Sequence, residues 1–353
     1  MITKKLFDHT ADGREVYAYT LENGTCVSAR IIDFGGTIVN LWVKDAAGNT
    51  ADVICGFDDM YGYENAGGYQ GAIIGRVCNR IHDSRYTLDG VDYELFANDG
   101  PNSAHGGKIG FNKHIWDAKI ISEGDEPELE LTYVSPDMEE NYPGTLTVKT
   151  YYKLTCDAGL SIRFVAETDK PTIVNLTNHA YYNLAGYESG TILDQVMWID
   201  SDKINEQDVE LIPTGNFVNV EGTAYDFRSA KAIGRDFNSE PSMSIQNGGY
   251  DNNYIINGVD GKTVKLCATL TEPVSGRKME VYTNQPCVQV YTSNMINEND
   301  LPFKGGVRQL KNCAVCFETQ KMPDSINHPG FTETVLRPGE VYDFTSIYKF
   351  SAK

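Results

Sequence analysis

The sequence predicts an all-β protein, a large antiparallel β-sandwich with few short helices. Three observations carry that prediction. Apolar and polar residues alternate with a period of two in segment after segment. Turn-forming Asn, Asp and Gly residues separate those segments at regular intervals, and almost no stretch sustains a helical period. Strands so spaced bury their apolar faces in a sandwich or a barrel.

Taken in order, Glu22-Asn23-Gly24 and Ala47-Gly48-Asn49 mark early turns. Residues 58–65 allow a helical turn or two, kept short by Gly62 and its tyrosines. Asp89-Gly90 joins residues 85–88 to residues 91–95 as a hairpin with a two-residue loop. Residues 146–154 put Leu146, Val148, Tyr152 and Leu154 on one face and Lys149 and Lys153 on the other. Residues 160–167 repeat the device with Leu160, Ile162, Phe164 and Ala166, and Val264, Leu266, Ala268 and Leu270 do so again. Asp157-Ala158-Gly159 and Val259-Asp260-Gly261 are further turns. No linker, composition break or repeat divides the chain, so a single domain over residues 1–353 is expected.

A chain of 353 residues buries a large core. Lys+Arg 30 against Asp+Glu 49 gives a formal charge of -19, which repels phosphate backbones and anionic lipid. The expected partner is therefore a neutral small molecule, with no nucleic acid and no membrane. The start of the chain lacks the apolar segment of a secretion signal, and no apolar run reaches membrane-spanning length. Eight scattered cysteines lack the density of a disulfide scaffold, so a cytoplasmic location is expected.

The chemistry concentrates in residues 175–184, which hold His179, Tyr181, Tyr182 and Asn175, Asn178 and Asn183. If extended, His179, Tyr181 and Asn183 share one face, and Asn178, Ala180 and Tyr182 the other. Such a face suits a hydroxyl-covered ligand, with His179 as proton carrier; a histidine satisfied by backbone at a strand end fits the stretch equally. Arg76 and Arg80 flank Asn79, share a face in an extended chain, and suit ligand hydroxyls or carboxylates. Surface pairing with this acidic chain's carboxylates is the simpler reading of those two arginines. His105 precedes Gly106-Gly107, a site of close backbone approach or an ordinary exposed turn.

Residues 248–254 read as a turn of Gly and Asx residues. Residues 283–294 read as a strand with amides at its mouth, and residues 313–320 as an apolar strand running into Glu318. A carboxylate there is costly unless it is hydrogen-bonded or kept for proton transfer. Cys313 and Cys316, three apart in a strand, point to opposite faces and serve as packing residues, with Cys316 on the Glu318 face. His105, His179, Glu318 and Asp251 lack short-range ligand spacing, so no metal is expected. Phosphate-loop, dinucleotide and Gly-x-Ser-x-Gly motifs are absent.

Asn79-Arg80, His105-Gly106-Gly107, residues 175–184, Tyr250-Asp251-Asn252, Gln285-Pro286 and Glu318-Thr319-Gln320, in that order, resemble the aldose 1-epimerases (galactose mutarotases). Pro323-Asp324-Ser325, residues 327–331 and residues 336–340 resemble that family's C-terminal segments, so the resemblance runs from about residue 30 to 345. It implies a sandwich with a cleft across one sheet, no metal or organic cofactor, and a monomer or homodimer. The implied activity is that of an isomerase interconverting the α and β anomers of a free aldohexose such as glucose or galactose. By position, Glu318 matches the general base, His179 the general acid, and His105 a second histidine near the ring oxygen. Asn79, Arg80, Asp251 and Gln285 match groups that hold sugar hydroxyls, and Tyr181 lies in the His179 motif. Cys78 and Phe317 depart from the family's usual small residue and leucine, which bears on substrate fit.

On that reading ionised Glu318 sets the acid limb of a bell-shaped pH profile and charged His179 the alkaline limb. Three rivals stand beside it. A hexose-6-phosphate epimerase needs a basic cluster, of which Arg76 and Arg80 are the only close pair near the motifs. A non-catalytic sugar-binding module has no use for Glu318 and both histidines. A glycosidase needs a carboxylate pair such as Asp251 with Glu318.

Overall fold

The computed structural model describes residues 1–237 and 248–353. Every strand pair in it is antiparallel, and helix is confined to Met60–Asn65 and a few single turns. A nine-stranded sheet forms the centre. Its spatial order begins with Asp117–Ser122, Glu128–Ser135, Leu146–Leu154 and Gly159–Thr168. The strand Tyr342–Ala352 comes next, followed by Arg277–Thr283, Lys265–Thr271, Val196–Ile199 and Lys231–Ala232. A five-stranded meander, Ile2–His9 through Thr50–Asp52, packs on it.

A second five-stranded sheet runs Pro213–Asn219, Lys203–Gln207, Asp251–Ile255, Cys287–Tyr291, Cys316–Gln320. Its inner face joins the main buried cluster through Val288, Val290 and Phe317, which meets Leu131, Phe164, Val281 and Tyr348 of the nine-stranded sheet. Thr319 Oγ1 and Ser346 Oγ lie 2.6 Å apart across that seam. Because side chains alternate along a strand, sending Phe317 and Thr319 inward turns Glu318 outward. Parity thus decides where the carboxylate goes.

Local readings of the sequence are met in several places. Burial alternates without a break along Leu146–Leu154. In the hairpin Leu88 pairs with Val91, with Asp89 and Gly90 both left-handed at φ 51° and 81°. The helix starts where the Asp59 carboxylate accepts the Gly62 N–H.

Two readings are corrected. In Lys265–Thr271 the register shifts between Leu266 and Ala268, so Cys267 enters the core while Val264 and Leu266 stay half-buried. A bulge exchanges faces, and no alternation pattern survives it. Residues 251–255, read as part of a turn, form an interior strand paired on both sides. Two flanking ladders outweigh the turn preference of Asp and Asn, and Asn253 Nδ2 finds Asn205 Oδ1 at 2.6 Å. Among the described residues no helix is long and apolar enough to cross a membrane.

Candidate active site

The outward face of the second five-stranded sheet floors a cavity of about 320 Å³. Glu318, Gln289 and Asp251, from three neighbouring strands, line it. Gln289 pairs in register with Glu318, and its Nε2 donates to Asp251 Oδ1 at 2.6 Å. Glu318 is 2% exposed and its Oε2 has no protein partner.

Alongside Glu318 runs the 175–184 segment, which forms a strand for only two residues, Thr177–Asn178, and bridges Val315 through Tyr182. The backbone of His179 is fixed by its N–H donating to Ala72 and its carbonyl accepting from Gly71. His179 and Tyr181 both face the cavity, their rings stacked 4.9 Å apart. Asn183 does not join them, contrary to the alternation. Its amide donates to the Cys313 and Gly190 carbonyls, while Asn178 holds the Gly71 carbonyl and Asn175 brackets the Lys321 backbone. The asparagines are therefore scaffolding that pins an irregular segment whose backbone groups need partners.

His105 enters from a loop at φ 52°. Its N–H donates to the Asn79 carbonyl, and its Nδ1 accepts the Asn79 N–H at 3.3 Å. The turn behind it requires Gly106, where a Cβ would lie 1.9 Å from the Gly75 carbonyl oxygen. The His105 and His179 rings are 5.3 Å apart, and Tyr69 packs against both at 4.6 and 5.7 Å.

Arg80 and Asn79 line the cavity; Arg80 Nε donates to Asp99 at 2.7 Å and its guanidinium lies 4.0 Å from Asp251. Arg76 goes elsewhere. It is buried and donates to the Pro143 and Gly144 carbonyls at 2.8 and 2.9 Å. The shared face expected of the two arginines is lost because Asn79 adopts φ 60° between them, which breaks the extended run.

Seven of the eight expected site residues, Glu318, His179, His105, Asn79, Arg80, Asp251 and Tyr181, line this cavity. Gln285 does not. It lies outside the strand Cys287–Tyr291, and its amide donates to the Tyr342 hydroxyl at 2.9 Å. Strand register pairs Gln289 with Asn253, on the cavity face, from where its amide reaches Asp251 diagonally. Gln289 is an amide between Val288 and Val290 in a buried strand, a signal that was present in the sequence. Tyr69, Asp99, Tyr291 and Gln309, which also line the cavity, had no comparable signal. Cys313 and Cys316 are packing residues, but they share one buried cluster with Cys55, because Cys313 precedes the strand.

The electrostatics of the wall are set by burial. Burial raises the Glu318 carboxyl well above the carboxylate range, Asp251 adds to the rise and Arg80 opposes it. Burial lowers His179 to about 4. His105 is also held well below its ordinary value by burial, with His179 and Arg80 adding. Glu318 Oε1 and His179 Nε2 are 3.6 Å apart. Burial thus pushes the carboxyl up and the imidazole down, so that of the two the carboxyl holds a proton more tightly. This inverts the expected order, in which Glu318 is the stronger acid of the two. His105, His179 and Glu318 each bring a ligand atom within 4.8 Å of the others, so these three could hold a metal ion, with Asp251 outside the group.

Comparison with known proteins places the sequence and the fold in a family. Residues 17–349 match the aldose 1-epimerase family. The chain is 43% identical over 322 residues to galactose mutarotase of Bos taurus, covering 91% of this chain and 90% of that protein. It is 32% identical to aldose 1-epimerase of Escherichia coli (strain K12), covering 97% of each. The crystal structure of galactose 1-epimerase from Lactobacillus acidophilus superposes with a TM-score of 0.86 at 27% identity, covering 99% of this chain and 98% of that one. On sequence and fold together, this chain belongs to the aldose 1-epimerase family.

Proposed function

We propose that this chain interconverts the α and β anomers of free aldohexoses, glucose and galactose among them, by acid–base opening and reclosure of the ring. The observation that carries the proposal is the Glu318–His179 pair, buried at 3.6 Å in a cavity rimmed by hydrogen-bonding groups. Glu318 takes the proton of the C1 hydroxyl while His179 gives one to the ring oxygen, and the C1–O5 bond breaks to leave the aldehyde. Rotation about C1–C2 presents the other carbonyl face, and reclosure returns both protons. A positioned acid and base typically supply about 10²–10⁴-fold each.

One detail supports this direction of proton flow. Ring opening starts from ionised Glu318 and charged His179 and leaves both groups neutral, the forms that burial favours. Asn79, Arg80, Asp251 and Gln289 hold sugar hydroxyls, and His105 stands beside the ring oxygen. A phosphorylated hexose is disfavoured, since Arg80 is already engaged by Asp99 and Asp251 and Arg76 is committed to backbone carbonyls.

The chain acts as one domain, as a monomer or homodimer, in the cytoplasm. Eight unpaired cysteines support a reducing compartment. The test is polarimetry on freshly dissolved α-D-glucose and α-D-galactose, with wild type beside Glu318→Gln. Wild type brings the rotation to the same end value faster, and the variant does not. Equal acceleration by both removes Glu318 as base; no acceleration by wild type overturns the function.

A further inference from the structure

The same wall offers three good metal donors, and the proposed chemistry uses none of them as ligands. His105, His179 and Glu318 present two imidazoles and a carboxylate with their donor atoms within 4.8 Å of one another. The His179 Nε2 to Glu318 Oε1 separation is 3.6 Å. Tetrahedral zinc with bonds of about 2.0–2.1 Å holds its ligands roughly 3.3 Å apart, so modest side-chain rotation closes the set. Glu318 and His179 are more than nine-tenths buried, and Glu318 Oε2 and His179 Nδ1 have no protein partner. Two nitrogens and one oxygen, with the cavity itself as an open position, suit a borderline ion such as Zn²⁺ rather than Mg²⁺. The formal charge of -19 and the lining carboxylates Asp99, Asp251 and Asp300 draw cations toward the opening.

We infer that Zn²⁺ binds reversibly to His105, His179 and Glu318 and competes with the sugar for the cavity. The surrounding shell explains why the ion is an inhibitor and not a resident cofactor. Dedicated zinc histidines donate their second N–H to an acceptor, which fixes the ring for the metal. Here His105 Nδ1 faces a donor, the Asn79 N–H, and His179 Nδ1 faces nothing. Ligation therefore proceeds without that support and is weaker than at a structural zinc site. It also removes the proton carriers from the sugar.

The metal-binding half of this inference stands on geometry alone, whereas the competition half rests on the proposed function. Titration calorimetry of the full chain with ZnCl₂ tests both, with and without D-galactose, beside polarimetry. The expected result is one Zn²⁺ per chain, lost in His105→Asn and in Glu318→Gln, with no heat from MgCl₂ at the same site. Galactose at about ten times its dissociation constant weakens apparent zinc affinity about tenfold, and zinc inhibition of mutarotation is relieved by more sugar. Zinc binding that survives in both variants, or that ignores galactose in an active enzyme, overturns the inference. So does an active wild type that takes up no zinc at millimolar concentration. Zinc uptake through these residues by a protein that never accelerates mutarotation overturns the mutarotase reading alone.

Discussion

Gln289 lies opposite Glu318 in register, yet its amide N–H is spent on Asp251 at 2.6 Å. Glu318 Oε2 has no protein donor, and Asp251 is held in place beside Arg80. One amide thus orders the acceptor that neighbours the base.

Replacing Gln289 with leucine leaves the buried Asp251 carboxylate short of a donor. The expected effect is a fall in kcat/KM of about 10–100-fold, with KM rising, since an uncompensated buried partner costs roughly 1–3 kcal/mol. Gln285→Leu at the neighbouring position leaves KM unchanged, because that amide is bonded to Tyr342. Initial rates by polarimetry over a range of galactose concentrations separate the two.

The pH profile follows from the opposite shifts that burial imposes on the two groups. A proton must add to His179, at about 4, before the acid side fails. The alkaline side fails only when the proton leaves Glu318, whose value is raised. These are properties of the pair rather than of either residue. Activity therefore climbs through pH about 4, and its alkaline limb lies above the ordinary carboxylate range. An acid limb centred near 6.5, the ordinary histidine value, rules this assignment out.

Glu318 also costs stability. Its folded value lies above the unfolded one, so the folded protein binds more protons, and stability declines as pH rises from about 4.5 through the folded value. Glu318→Gln removes that slope. The variant melts a few degrees above wild type near pH 8, and the gap shrinks as pH approaches about 4.5. Scanning calorimetry at several pH values gives the comparison; a constant gap, or a less stable variant at about pH 8, contradicts it.

Arg76 and Arg80 separate in their consequences. Arg76→Leu leaves the Pro143, Gly144 and Thr172 acceptors unpaired in the interior and lowers stability by about 3 kcal/mol. Arg80→Leu raises KM and lowers the urea midpoint less than Arg76→Leu does, because Arg80 bonds one half-exposed carboxylate, Asp99, and lies 4.0 Å from Asp251. Urea titrations read against polarimetry distinguish a folding arginine from a binding one.

Gly106→Ala introduces a Cβ 1.9 Å from the Gly75 carbonyl oxygen at φ +91°. The turn must shift, and His105 with it. The expected loss is more than about 2 kcal/mol in stability together with most activity. A urea midpoint equal to wild type refutes the constraint.

The sandwich was legible because period-two burial is a local property, visible along Leu146–Leu154 and Gly159–Thr168 without knowing their neighbours. What escaped depended on partners far away in sequence. The bulge at Cys267 is defined by the facing strand Arg277–Thr283, and strand Asp251–Ile255 by the two ladders that flank it. The same limit separates Gln289 from Gln285. Gln285 precedes the strand Cys287–Tyr291 and Gln289 sits at its middle, and the strand's bounds and register decide that only Gln289 reaches Asp251. Tyr69 and Gln309 lie on irregular segments, where no periodicity announces which way a side chain turns.

The strand Tyr342–Ala352 sits between Gly159–Thr168 and Arg277–Thr283, so two halves of the nine-stranded sheet meet only through it. During synthesis both flanking strands leave the ribosome well before their shared partner exists. Until residue 342 emerges, each half waits with an open edge that invites pairing with another nascent chain. Yield in a cell is accordingly governed by how long that wait lasts and by which chaperone shields those edges meanwhile.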